Sequence, residues 1–335
     1  MSEDLLKILP VKSGGYAWWY FDAISDDGRF ALSAIFFVGS VFSPSYASRI
    51  RRGELPSADD HLGVNLAIYR VDGSGARHLT WVMSEYGKDS LDVRDGLAIG
   101  SSRVEVLPGG ALKLHFRERT APFFWVMWGL GCPVEGTVTL EPQAPPLDLH
   151  DLIDTPGRGH RWWLRMPRAR VKVKFSAPEI AFEGTGYHDI NTGDERLEAG
   201  FSHWSWARFH GDDSARDLVL YQLRPRQGAP RAWLVDSGKI RSAVEFSQGP
   251  SRAVGWGLTL PTSNAADGVC AVPTIVLDRS PFYARYLAEL RDGDRVWARG
   301  LGEFLDLDRF GSRVIQFLLN YKTRHKSPPF LPGRG

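Results

Sequence analysis

Apolar and polar residues alternate along most of this chain in short runs that stop at turn-forming residues, the pattern of strands with one buried face. Trp18–Ile24 and Phe30–Val38 flank Asp26-Asp27-Gly28, and Val64–Val71 and His78–Ser84 flank Asp72-Gly73-Ser74-Gly75. Val104–Val106 and Leu112–Arg117 flank Pro108-Gly109-Gly110. Further on, Arg231–Val235 runs into Asp236-Ser237-Gly238, and Arg295–Arg299 follows Asp292-Gly293-Asp294. Asp and Gly between two such runs are hairpin signals. Strands punctuated this often predict sandwiches or barrels rather than βαβ units. Helical spacing is clear mainly near the end, where Phe310, Val314, Ile315 and Leu318 follow the acidic turn Asp306–Asp308. The Pro/Gly-rich tail Ser327–Gly335 reads as frayed. Pro142–Gly159, with four prolines and little periodicity, is the best boundary. It predicts an N-terminal β domain over 1–150 and a C-terminal one over 151–335, the latter ending in a short helix.

Composition sharpens this picture in one respect. The 335 residues include 12 Trp, 18 Phe and 10 Tyr, which favour strands and build apolar pockets, with 35 Gly and 21 Pro to supply turns. A net charge of +2 gives no reason to expect nucleic acid. Cys132 and Cys270 lie far apart without metal-ligand spacing and read as two unpaired buried thiols, a disulfide staying open. The N-terminus lacks the basic and apolar regions of a secretory signal. No stretch approaches the roughly 18 apolar residues of a membrane span. The expectation is a cytoplasmic protein able to lie against a membrane.

Common site signatures are absent: no GxGxxG, no Walker loop, no GxSxG and no HExxH. Two segments stand out instead. In Gly159-His160-Arg161-Trp162-Trp163, strand alternation puts His160 and Trp162 on one face and Arg161 and Trp163 on the other. In Gly184-Thr185-Gly186-Tyr187-His188-Asp189-Ile190-Asn191 it groups Tyr187 with Asp189 and turns His188 away. If these faces look into one barrel, His160, Trp162, Tyr187 and Asp189 converge as an acid, a base and aromatic walls. The second segment can equally be read as a turn in which Asp and Asn bond their own backbone, and the Trp pair as packing.

Two further stretches allow a bland and a sharp reading. Arg158–Lys174 carries seven Lys/Arg and no acid: a half-buried strand with a solvated basic face, or a patch for anionic lipid headgroups. Ala121–Val134 holds Phe123, Phe124, Trp125, Met127 and Trp128: a buried strand pair, or a loop dipping into a membrane interface.

Several ordered blocks together resemble the carotenoid 1,2-hydratase (hydroxyneurosporene synthase) family. They are Gly14–Tyr46, His160–Val173 and Gly184–Trp206, with Pro281–Arg285 and Leu307–Arg313 adding to them. The resemblance implies an all-β fold of two lipocalin-like β-barrel domains. It implies addition of water to the terminal C1=C2 bond of an acyclic carotenoid such as neurosporene or lycopene, with no cofactor and no metal. The family's acid falls on Asp189, and its supporting His, Trp and Tyr fall on His160, Trp162 and Tyr187. A further Trp falls on Trp125, in an apolar segment longer than the family has there. Trp125, Trp163 and Phe124 are the expected substrate-binding residues, with peripheral membrane contact and an apolar polyene as partner. A cyclase or isomerase of another polyene or polyketide, and a non-catalytic carrier of an apolar ligand, are the competing readings.

Overall fold

Alternation of this kind yields strands with two unlike faces, and the fold follows from which face each strand buries. The computed structural model describes residues 6–7, 11–73, 75–121, 131–149, 159–211, 217–241, 247–264, 270–319 and 323–324. Its strands begin with β1 (Tyr16–Ser25), β2 (Phe30–Val38), β3 (Leu62–Asp72) and β4 (Gly75–Tyr86). A helix not foreseen from periodicity, α1 (Pro44–Arg51), lies between β2 and β3. Short strands β5 (Leu91–Asp92), β6 (Leu97–Ile99) and β7 (Ser102–Val106) lead into β8 (Leu112–Arg119), β9 (Pro133–Pro142) and β10 (Leu147–Leu149). Two long strands follow, β11 (His160–Ala177) and β12 (Glu179–Gly193).

These twelve form one curled sheet in the order β4-β3-β2-β1-β12-β11-β9-β8-β7-β6-β5, with β10 on β11. A short terminal strand, Thr323–Arg324, joins the β4 edge in parallel. The inner face of the curl is an apolar core drawn from nearly every strand, including Trp19, Phe21, Phe36, Leu66, Leu114 and Ile190. Side chains of this size contribute about 1.5–3 kcal/mol each when fully buried. That core also encloses one carboxylate: Glu118 of β8 accepts hydrogen bonds from the hydroxyls of Ser84, Tyr86 and Ser102.

After α2 (Leu197–Gly200), a second, nine-stranded antiparallel sheet is built from Phe201–Asp306. Its core gathers Phe209, Leu220, Leu234, Leu260 and Ala284. Arg285 and Glu303, cross-strand partners in this sheet, form a buried ion pair at 2.8 Å. The chain then turns into α3 (Leu307–Phe310), capped by Asp306 accepting from the Arg309 backbone N–H at 3.0 Å, and α4 (Arg313–Leu318). The helix expected at the end is therefore present in two short pieces, broken at Gly311 and Ser312.

The division of the chain differs from the one predicted. It falls between Arg196 and Leu197, with residues 71–77 joining the second unit and 317–335 the first. A boundary at 150 would cut β9 and β10 from their partner β11, and β1 from its partner β12. The proline-rich stretch thus interrupts a sheet rather than separating two. The thiols form no disulfide, as expected, but they are not both buried: Cys132 is exposed and Cys270 half-buried.

Candidate active site

The central strands β1, β12 and β11 lie side by side, so one face of three strands can be read in register. On β12 that face carries Tyr187, Asp189 and Asn191. On β1 it carries Tyr16, Trp18, Tyr20 and Asp22, with Tyr20 opposite Asp189 and Trp18 opposite Asn191. On β11 it carries His160, Trp162 and Leu164, with Leu164 opposite Asp189. This is the face turned away from the apolar core, yet its residues are buried too; Asp189 is 3% exposed.

Uncharged donors on Trp162, Tyr187 and Asn191 bond the Asp189 carboxyl. Trp162 Nε1 donates to Oδ2 at 2.8 Å, the Tyr187 hydroxyl donates to the same oxygen at 2.7 Å, and Asn191 Nδ2 donates to Oδ1 at 3.0 Å. Such a set also suits a protonated carboxyl. With the proton on Oδ1, the carbonyl oxygen Oδ2 still accepts two bonds and the hydroxyl Oδ1 still accepts one. Tyr20 packs edge-on against Tyr187, with ring centroids 6.2 Å apart.

His160 shares this face but is displaced along it. It pairs with Gly193, four residues beyond Asp189, which is on the order of 13 Å along a strand. Its Nδ1 is hydrogen-bonded to the Tyr16 hydroxyl at 2.8 Å. Burial holds the imidazole down to a pKa of about 3 and pushes the Tyr16 hydroxyl well up, helped in the latter case by the charges of Glu195 and Asp194. The Tyr16 ring reaches His160 by crossing β12 at Gly193; a Cβ there would sit 2.3 Å from the ring. Tyr16 also stacks on Trp18, so the far end of the face is an aromatic box with a neutral imidazole.

Two polar residues of β1 and β2 complete the face. Asp22, 1% exposed, lies opposite Tyr187 on one side and opposite Ser33 of β2 on the other. The Ser33 hydroxyl is fully buried and has no hydrogen-bond partner among the described residues.

The structure therefore brings Trp162, Tyr187 and Asp189 together and sets His160 further along the same face. Trp163 does not join them. It lies on the opposite face of β11, in the apolar core, with the Lys7 ammonium 5.1 Å from its ring centroid. Trp125 and Phe124 lie outside the described residues. Asn191, Tyr16, Trp18, Tyr20, Asp22 and Ser33 escaped sequence reasoning. A signal existed in β1, where Tyr16, Tyr20 and Asp22 fall on one face and Ala17, Phe21 and Ala23 on the other, with one Trp on each. In the basic stretch Arg165 and Arg168 are buried and Arg170 is bound to Asp26 and Glu183, while Lys172 and Lys174 are exposed. Among the described residues no group of three His, Cys, Asp or Glu could hold a metal ion.

A comparison with known families matches residues 34–328 to the carotenoid hydratase CrtC model. The chain belongs to the carotenoid hydratase family. An acyclic carotenoid 1,2-hydratase of Thiocapsa roseopersicina is 34% identical over 319 residues, covering 94% of this chain and 74% of that protein. One of Rubrivivax gelatinosus is also 34% identical, over 82% of this chain and 65% of its own length. This hydratase-family chain shares its fold with a Nitrosomonas europaea protein whose crystal structure is described as that of a putative AttH. It is 14% identical with a TM-score of 0.57, over 89% of this chain and 93% of that one. That likeness shows the fold alone, lipocalin-like and all-β.

Proposed function

We propose that this chain adds water to the terminal C1=C2 bond of an acyclic carotenoid, with Asp189 as proton donor and without a cofactor. The observation that carries this reading is a buried carboxyl held by Trp162, Tyr187 and Asn191 in a member of the carotenoid hydratase family. An isolated trisubstituted alkene offers no polar handle, so hydration begins with proton transfer to carbon. Protonation of C2 leaves the more stable, tertiary cation at C1. The acid is placed by three donors at once, which fixes its direction before substrate arrives. A desolvated indole such as Trp162 can stabilise a cation by about 2 kcal/mol. The carboxylate left on Asp189 adds to this in a water-poor site. Water then attacks C1. His160, four register positions from Asp189, closes the aromatic box with Tyr16 and Trp18 around the polyene.

The polyene partitions into lipid, and the enzyme meets it by peripheral membrane contact. No helix among the described residues is long and apolar enough to cross a membrane. Exposed Trp256, Val314 and Phe317 are side chains suited to an interface with lipid. The test of the reaction is product analysis by mass spectrometry after expression with a supply of lycopene or neurosporene. A gain of one water is expected; isomerised or cyclised polyene of unchanged mass would favour a different use of the site, and unchanged ligand a carrier.

A further inference from the structure

The reaction needs a base as well as an acid, and the face around Asp189 contains a second buried carboxylate. We propose that Asp22 is the general base, holding the attacking water together with the Ser33 hydroxyl. The inference rests on the reading of Asp189 as the acid that protonates the alkene.

Placement comes first. Asp22 stands opposite Tyr187 and Asp189 opposite Tyr20, so the two carboxylates are diagonal neighbours on adjacent strands and share a face. With strands about 4.8 Å apart and about 3.3 Å per residue, their Cα atoms are roughly 8 Å apart. Two carboxyls serving as acid and base on one substrate must leave room for a water between them, and diagonal neighbours on one face are set apart without an intervening residue on that face. That arrangement suits an alkene whose C2 meets one carboxyl while a water at C1 meets the other. His160, opposite Gly193, stands four register positions from Asp189, two more than Asp22.

The Ser33 hydroxyl supplies an independent observation. It is buried directly across from Asp22 and unsatisfied among the described residues. Buried hydroxyls seek a partner, and a buried water needs two or more polar neighbours. The Asp22 carboxylate and the Ser33 hydroxyl provide two on the side where C1 would lie.

Proton bookkeeping agrees with this division. In the reactive form Asp189 carries the proton. It passes to C2, the π pair forming the new C–H bond and the O–H pair staying on Asp189. A lone pair of water then forms the C1–O bond, and the oxonium proton passes to Asp22. As the alcohol leaves, one proton returns from Asp22 to Asp189, across the intervening Tyr187 hydroxyl or through water.

The roles separate in heavy water. The full chain and its variants are supplied with lycopene in D2O, and both the alcohol and the deuterium at C2 of recovered lycopene are measured. Asp189→Asn should lose both. Asp22→Asn should lose hydration by about 100-fold or more, a typical general-base contribution, while recovered lycopene still gains deuterium at C2 no slower than with the wild type. Ser33→Ala, a change too small to disturb the sheet, should lower hydration about tenfold and leave exchange intact. Asp22→Glu should recover part of the loss. Hydration by Asp22→Asn at the wild-type rate would overturn the proposal, as would equal loss of hydration and exchange in Asp22→Asn with normal folding. Unaltered hydration in Ser33→Ala would remove the Ser33 part of it. A wild-type chain that neither hydrates nor exchanges lycopene would defeat the reading of Asp189 itself, and Asp22 as its base with it.

Discussion

The donors Trp162, Tyr187 and Asn191 are uncharged, so changing any one of these three adds or removes no charge beside Asp189. Asp189→Asn keeps the shape and one acceptor oxygen, which can still face Trp162 and Tyr187, but it puts an amide donor toward Asn191 and has no acidic proton. Hydration should fall below detection while the thermal transition shifts by only a few degrees, as product analysis and calorimetry together would show. Trp162→Phe keeps a π face and loses the indole N–H; Trp162→Ala loses both. If the face stabilises the cation, kcat should fall about tenfold or more further in the alanine variant than in the phenylalanine one. His160 gives a pH signature instead. Its pKa is about 3 in the folded chain against about 6.5 unfolded. The folded state thus resists protonation, and this group's contribution is fully present above pH 6.5 and is lost as pH falls toward 3. Denaturant titrations should show a shallower acid loss for His160→Gln than for the wild type, by a few kcal/mol across that window. Residues at this scale were legible where alternation within one strand sufficed, as for Tyr187 and Asp189. Trp163 was not, because an adjacent Trp pair is split between two faces and composition does not say which face meets the core.

At the level of elements, β12 makes room for its neighbours. Gly193→Ala would drive a methyl into the Tyr16 ring. The ring would have to leave its bond to His160, and a loss of about 1–3 kcal/mol in unfolding free energy is expected from such overpacking. Strand β8 carries a different tension. Burial pushes the Glu118 carboxyl up, although bonds from Ser102, Ser84 and Tyr86 act the other way. A raised carboxyl pKa stabilises the fold below the unfolded value near 4.3 and loses that contribution as pH rises through the folded value. Glu118→Gln should therefore gain ground on the wild type between pH 5 and pH 8 when their melting temperatures are compared. The hairpins were legible because Asp and Gly mark them, and Gly28 indeed adopts φ 68° at the first turn. Helix α1 was missed: its start is marked only by Ser43, which accepts from the Tyr46 N–H, and Pro44. Eight residues rich in Arg and Ser show no apolar stripe.

For the molecule as a whole, local pattern identified the strands but not their neighbours. Proline content pointed to a break near 150, whereas pairing carries the first sheet through β12. A fragment of residues 1–150 should accordingly lack a cooperative thermal transition, and one of residues 1–196 should recover it; scanning calorimetry of the two distinguishes these outcomes. The contribution of β1 to the active face was illegible for the same reason, because Asp22 and Tyr20 meet their partners only across most of the first unit. His188 bonds the Tyr20 carbonyl from 168 residues further on. At about 5–20 residues per second of synthesis, β1 leaves the ribosome roughly ten to thirty seconds before β12 exists. During that interval one edge of a strand rich in Trp, Tyr and Phe has no mate, so the yield of soluble enzyme in the cell should depend on what shelters the nascent N-terminus.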